Sequence, residues 1–370
     1  MNRPSVIVVG AGIVGCTVAY ELAKAGARVQ VLETRSPGQG ATRASAGILA
    51  PFIEGHGSER LRELGARSLD LYDDFIARLR EDGEDLVYQR NGTFELAFSD
   101  ADVSRLNELA GGLSDRGIET RWIDAGGFGD VEPLANPRAI GGLLIPAHGF
   151  VGVTSLTLAA AAAAKKLHAR FRTETGAIHI FGMSNARIGV KTARAIWEAD
   201  RVVMAAGSWS SSITIEGADR IPVKPIRGQL IQLQTEPGSI GRVLWGPDGY
   251  LVPWPDGSVL AGSTVEDVGF DETHTAEAVE SLRSAAAALV PSLGSAALTE
   301  VRTGLRPKGP DDLPILGMSR VLPGVIYATA HYRNGVLFTP LTMQLVRDLV
   351  FDRDTDPALR DLDPSRVGTL

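Results

Sequence analysis

Gly10-Ala11-Gly12-Ile13-Val14-Gly15 follows directly on a β-branched run, Val6-Ile7-Val8-Val9, and leads into a segment with Val14, Val18 and Leu22 on one helical face and Gly26 as its stop. The run has the composition of a parallel strand buried on both faces. Arg28-Val29-Gln30-Val31-Leu32-Glu33 then reads as a second strand ending in an acid. This order is a βαβ unit, and each glycine has a reason in it. Gly10 permits the sharp turn, Gly12 lets backbone approach a pyrophosphate, and Gly15 lets helix and strand pack closely. The helix N-terminus turns unpaired N–H groups and a positive dipole end toward phosphate. Glu33, 18 residues beyond Gly15, is placed to accept hydrogen bonds from a ribose. A dinucleotide site is expected; the fingerprint alone does not separate FAD from NAD.

The totals narrow the class. The 370 residues suggest two domains, and a formal charge of −7 without a basic block speaks against a nucleic-acid partner. Cys16 is the sole cysteine, which excludes an internal disulfide and fits a reducing compartment. The six histidines form no metal pattern, and no metal is expected. No apolar run approaches the roughly 20 residues that span a bilayer, so no integral membrane segment is expected. The N-terminus reads as a buried strand rather than a signal peptide, and the cytoplasm is the expected compartment.

Residues 38–51 form a loop of small side chains, as suits backbone lying against a flat ligand. The spacing predicts one amphipathic helix over 58–82, a hairpin around Asn91-Gly92 and a helix over 275–290. Residues 188–207 read as two strands, the second ending Ala205-Ala206-Gly207, where small residues let a cofactor cross the strand end. Residues 221–269 change to antiparallel strands separated by Pro/Gly/Asp turns. Near the C-terminus a strand at 324–330, a glycine loop and a helix over 336–351 repeat the logic of the first unit.

Several segments together resemble the D-amino-acid-oxidase-like FAD-dependent oxidoreductases, closest to the glycine oxidases of thiamine biosynthesis. They are the glycine fingerprint, Ala44-Ser45-Ala46-Gly47-Ile48-Leu49-Ala50-Pro51, Val223-Lys224-Pro225-Ile226-Arg227-Gly228-Gln229 and Tyr250-Leu251-Val252-Pro253. Gly262-Ser263-Thr264-Val265-Glu266, Gly304-Leu305-Arg306-Pro307 and Tyr332-Arg333-Asn334-Gly335-Val336 complete the set. The resemblance implies an α/β fold, a glutathione-reductase-like FAD-binding Rossmann domain with a second, antiparallel-sheet substrate domain. The expected division is 1–82 with 148–220 and 301–370 for FAD, and 83–147 with 221–300 for substrate.

By the same resemblance the FAD contacts are Gly10, Gly12, Ile13, Val14, Gly15, Glu33 and Thr34, then Ala41, Thr42, Ala46, Gly47, Ile48 and Ala177. The loop His331, Tyr332, Arg333, Asn334, Gly335, Val336 and Leu337 would lie beside the isoalloxazine ring, and the helix after it would point its N-terminus at the flavin. Arg306, Arg333 and Tyr250 match the family's substrate contacts. The chain departs from the family pattern at Trp254, Arg302 and Ala330, all expected near the site, so the substrate need not be glycine.

The reaction implied is oxidative deamination of a small amino acid or secondary amine (glycine, sarcosine or a D-amino acid) by hydride transfer to flavin, giving an imino acid that hydrolyses to the oxo acid. No catalytic acid or base is assigned, because a neutral amine needs none. Oxygen or an electron carrier is the acceptor, and a homo-oligomer is compatible with the sequence. Competing readings are a D-amino-acid or hydroxyproline dehydrogenase of the same family, an NAD-dependent dehydrogenase, and a non-catalytic flavin-binding subunit.

Overall fold

The structure, a computed structural model, describes residues 3–370 apart from 55–57, 174 and 354–355. The first βαβ unit seeds a six-stranded sheet. Its order is Ile315–Met318, Val325–Thr329, Arg201–Met204, Ser5–Val9, Arg28–Leu32, Arg170–Arg172, and all neighbours are parallel except the first pair. Ser5–Val9 lies inside the sheet, which explains its unbroken apolar run. Val6 and Val8 pack on the helices Ile13–Lys24, Val153–Lys166 and Thr339–Val350, whereas Ile7 and Val9 pack on the opposite side. There a four-stranded sheet covers them with Ile180, Ile188 and Val190.

An eight-stranded sheet forms the second layer system. Its edge pair, Ala297–Lys308 and Lys224–Gln234, runs antiparallel along its whole length and places Gly228 opposite Gly304 and Ile226 opposite Arg306. Alternation along the strands sorts the two faces. Leu251 and Val259 meet the helix Ala276–Leu289, while Tyr250, Val252 and Leu260 meet Ala44 and Ile48 of the small-residue loop and Phe52 of the short helix Pro51–Glu54 after it. That second face brings the strands of the eight-stranded sheet against the small-residue loop and the helix after it.

Three local expectations change. The hairpin around Asn91-Gly92 does not form: Tyr88–Gln89 pairs with Gly149–Val151, while Thr93–Ala97 pairs with Gly141–Ile145 and Val243–Gly246. Gly92 does adopt φ +86°, but the turn leads from one sheet to another. Turn chemistry fixes local dihedrals, and distant strands choose the partners. The segment 58–82 is two helices, Glu59–Asp70 and Tyr72–Glu81, meeting at Leu71. The last long helix begins at Thr339 rather than 336, with Pro340 in its first turn, where a missing N–H costs nothing.

Candidate active site

A cleft of about 370 Å³ runs between the two large sheets and collects most of the residues singled out from the sequence. Gly10, Gly12, Ile13, Val14, Glu33, Thr34, Ala41, Thr42, Ala46, Gly47, Ile48 and Ala177 line it. So do Arg306, Tyr250, His331, Tyr332, Arg333, Gly335 and Val336. Gly15, Asn334 and Leu337 stand behind the wall. A Cβ at Gly15 would run into the Gly10 carbonyl, so this glycine closes the helix onto the turn.

At the glycine turn, Gly10 holds φ +103° with the Ala205 carbonyl where a Cβ would be. Gly12 is the N-cap of Ile13–Lys24 and carries no capping side chain; Thr42 Oγ1 accepts the Ile13 N–H at 3.0 Å. Glu33 Oε2 accepts from Ala11 N at 2.6 Å, and its Oε1 accepts from Arg35 N at 2.9 Å and Thr34 Oγ1 at 3.0 Å. The acid is therefore fixed at the tip of its strand. Cys16 is buried beneath, donating to the Ala11 carbonyl at 3.3 Å, and burial pushes its thiol pKa far up.

The C-terminal loop enters the cleft through strained backbone, with φ +60° at Ala330 and +47° at Tyr332. Tyr332 N donates to the Pro307 carbonyl at 3.0 Å, which ties the loop to the Arg306 strand. His331 is buried, shares a 3.0 Å hydrogen bond with Thr342 Oγ1, and burial lowers its pKa to about 4, which keeps the ring neutral near pH 7.

Arg306 Nη1 donates to the Thr264 carbonyl at 2.9 Å and Nη2 to Ser263 Oγ at 2.8 Å. Tyr250 lies flat on Gly262, where a Cβ would stand 2.7 Å from its hydroxyl, and leans on Trp245 at 5.0 Å. Of the three departures from the family pattern, Arg302 turns to Glu300 (2.8 Å) and Gln232 (2.6 Å), and Trp254 packs near Phe150. Neither lines the cleft.

Sequence reasoning passed over Trp209, Arg35, Gly228 and Ser263 as site residues, although all four line the cleft. Arg35 stacks 4.7 Å from the Trp209 ring. Gly228 and Ser263 sat inside motifs already noticed, and a glycine mid-strand was the usable signal. Trp209 carried none beyond following Gly207. Among the described residues, no group of three or more His, Cys, Asp or Glu is arranged to hold a metal ion. No helix there is long and apolar enough to cross a membrane.

The family model described as "DAO: FAD dependent oxidoreductase" matches residues 5–349. The chain belongs to this family. The glycine oxidase of Pseudomonas aeruginosa is 31% identical over 368 residues, covering 95% of this chain and 97% of that protein. The bifunctional protein ThiO/ThiG of Nostoc sp. is 30% identical over 98% of this chain, which spans 55% of that protein's length. The crystal structure of glycine oxidase from Geobacillus kaustophilus superposes with a TM-score of 0.91 at 29% identity, covering 99% of each chain.

The family is FAD-dependent, and the site fits the cofactor on its own geometry. Gly12 brings no side chain of its own to the helix N-terminus, the fixed Glu33 suits a ribose, and the small residues at 40–42 and 44–47 line the cleft where a flat ring system would lie. The chain is an FAD-dependent oxidoreductase.

Proposed function

We propose that this enzyme deaminates a small amino acid or secondary amine oxidatively, with glycine, sarcosine and D-amino acids as the candidates, and that it is a glycine oxidase serving thiamine biosynthesis in the cytoplasm. The observation that carries the reading is a guanidinium, Arg306, held by Ser263 and Thr264 in the same cleft as the glycine turn. The names of the full-length relatives support it.

Bound FAD supplies the two-electron acceptor. Arg306 meets the substrate carboxylate with charge-assisted hydrogen bonds, each contributing roughly 1.5–3 kcal/mol. Tyr250 adds a hydroxyl to the same carboxylate, and Arg333 is the second arginine at the substrate. Anchoring that end presents the α-carbon hydrogen to the acceptor. The α-carbon gives up its hydrogen with two electrons, the amine loses a proton, and water hydrolyses the released imino acid to oxo acid and ammonia, or to oxo acid and a primary amine where the substrate is a secondary amine. His331 is assigned a structural role, since its ring is buried and shares a hydrogen bond with Thr342 Oγ1.

The test is anaerobic bleaching of the flavin by glycine, sarcosine and a panel of D-amino acids, repeated with Arg306→Ala. Bleaching by one of them, lost in the variant while FAD stays bound, supports the proposal. A flavin that none of them reduces rejects it. Peroxide formation in air, with and without an artificial acceptor, separates oxygen from an electron carrier. A deletion strain that needs thiamine points to biosynthesis, and one that does not points to catabolism.

A further inference from the structure

Arg306 is aimed by more than its own strand. A Cβ at Gly228 would run into its Cζ, Nη1 and Nη2 together, so the guanidinium lies face-on against bare backbone of the neighbouring strand. Glycine weakens the middle of a strand, and one kept there marks a close approach. The edge of the group is held by two residues that follow the strand Ser258–Gly262: Nη2 donates to Ser263 Oγ and Nη1 to the Thr264 carbonyl. Thr264 is itself fixed, since its Oγ1 accepts from Gln229 N at 2.9 Å and its N donates to the Gln229 carbonyl at 3.3 Å. Of the two residues at the edge, Ser263 lines the cleft and Thr264 does not.

We propose that Ser263 is a positioning residue for the substrate: above the bare backbone of Gly228, its hydroxyl sets the plane in which the Arg306 guanidinium meets a carboxylate. The inference rests on Arg306 being the carboxylate anchor. A forked donor recognises a carboxylate through two parallel hydrogen bonds, so the plane matters as much as the charge. Without Ser263 Oγ, Nη2 loses the acceptor that sets its direction, while Nη1 keeps the Thr264 carbonyl at 2.9 Å and the Arg227 carbonyl at 3.5 Å.

The experiment uses FAD-loaded enzyme with Ser263→Ala, Ser263→Thr, Gly228→Ala and Arg306→Ala. Flavin content, thermal midpoint, acetate affinity by calorimetry, and KM and kcat for the best substrate of the bleaching screen are read for each. Ser263→Ala is expected to keep its flavin and midpoint, to weaken acetate and raise KM about tenfold, and to leave kcat within about twofold. Ser263→Thr, which keeps the hydroxyl, restores both, and Gly228→Ala weakens acetate at least as much as Ser263→Ala. Wild-type acetate affinity and KM in Ser263→Ala, with both lost in Arg306→Ala, overturn the proposal and spare the anchor. Loss of flavin and midpoint in Ser263→Ala that threonine does not restore assigns a structural role and also overturns it. If Arg306→Ala itself keeps acetate, the anchor reading fails and the proposal falls with it.

Discussion

Gly304 faces Ala44 with no room for a side chain between them: a Cβ on Gly304 would stand 2.7 Å from Ala44 Cβ and 3.0 Å from Ala41 Cα. Gly304 lies two residues before Arg306 on the eight-stranded sheet, and residues 41 and 44 belong to the loop lining the cleft. The spacing between the Arg306 strand and that loop therefore depends on one missing side chain. Gly304→Val should force the loop away, costing about 1–3 kcal/mol as overpacking. The variant should emerge with little bound FAD, measured as the ratio of flavin to protein absorbance. A fully loaded, equally stable variant would show that the loop yields freely.

The pH response of folding should carry the signature of His331. Its folded pKa, about 4, lies below the ordinary value of 6.5 because burial disfavours the charged ring. The unfolded chain then binds a proton that the folded one refuses, so stability is lost as pH falls from about 6.5 toward 4. At pH 4.5 the penalty is on the order of 2 kcal/mol. His331→Asn has no such proton to refuse, and its thermal midpoint should fall less than the wild type's between pH 7 and 4.5. Parallel curves for the two proteins would contradict this. His148, also buried and lowered to about 3, keeps an acid limb in both.

Glu132 should respond in the opposite direction. Its carboxyl is buried, accepts the Gly241 N–H at 3.0 Å, and lies 4.0 Å from Arg242 Nε. Burial outweighs those partners and raises its pKa to about 7. Here the unfolded carboxyl ionises first, so the group's contribution to stability is intact below about 4.5 and is lost as pH rises through 7. Glu132→Gln keeps an acceptor for Gly241 without the charge. Its midpoint should exceed the wild type's at pH 8, by the equivalent of about 3 kcal/mol, and converge with it near pH 4.5. A variant less stable than wild type at pH 8 would mean that Arg242 needs the charge.

How much of this was readable from the chain alone depends on how far apart the participants lie. The turn at Gly10, Gly12 and Gly15 announces itself because strand, glycines and helix are contiguous, and the burial of residues 6–9 on both faces follows from the same run. The family motifs then marked Arg306 and Tyr250. What stayed hidden was pairing at a distance. Nothing near Tyr88 reveals that its partner is Val151, and nothing near Arg306 reveals that Gly228 lies beneath it and Ser263 at its edge. The joint at Leu71 was missed for a different reason, since the apolar period continues across it while the helix does not.

A clasp on two residues that line the cleft yields the last prediction. Arg35, just after Glu33, donates from Nη1 and Nη2 to Glu272 at 3.2 and 2.6 Å, and its guanidinium stacks on Trp209. Phe270 leans on the other aromatic partner, Trp209, at 5.9 Å. Arg35 and Trp209 both line the cofactor cleft, whereas Phe270 and Glu272 reach them from the segment after the strand Ser258–Gly262. The segment thus braces the cofactor wall from outside. The ion pair is partly exposed, so its direct contribution is small and screened by salt. Glu272→Ala should release FAD a few-fold faster at low salt, and the difference should shrink at high salt. Trp209→Ala removes the stacked surface itself, and its faster release should persist at either salt concentration. Release is followed by flavin fluorescence after dilution; wild-type rates in both variants would mean that the clasp leaves the cofactor untouched.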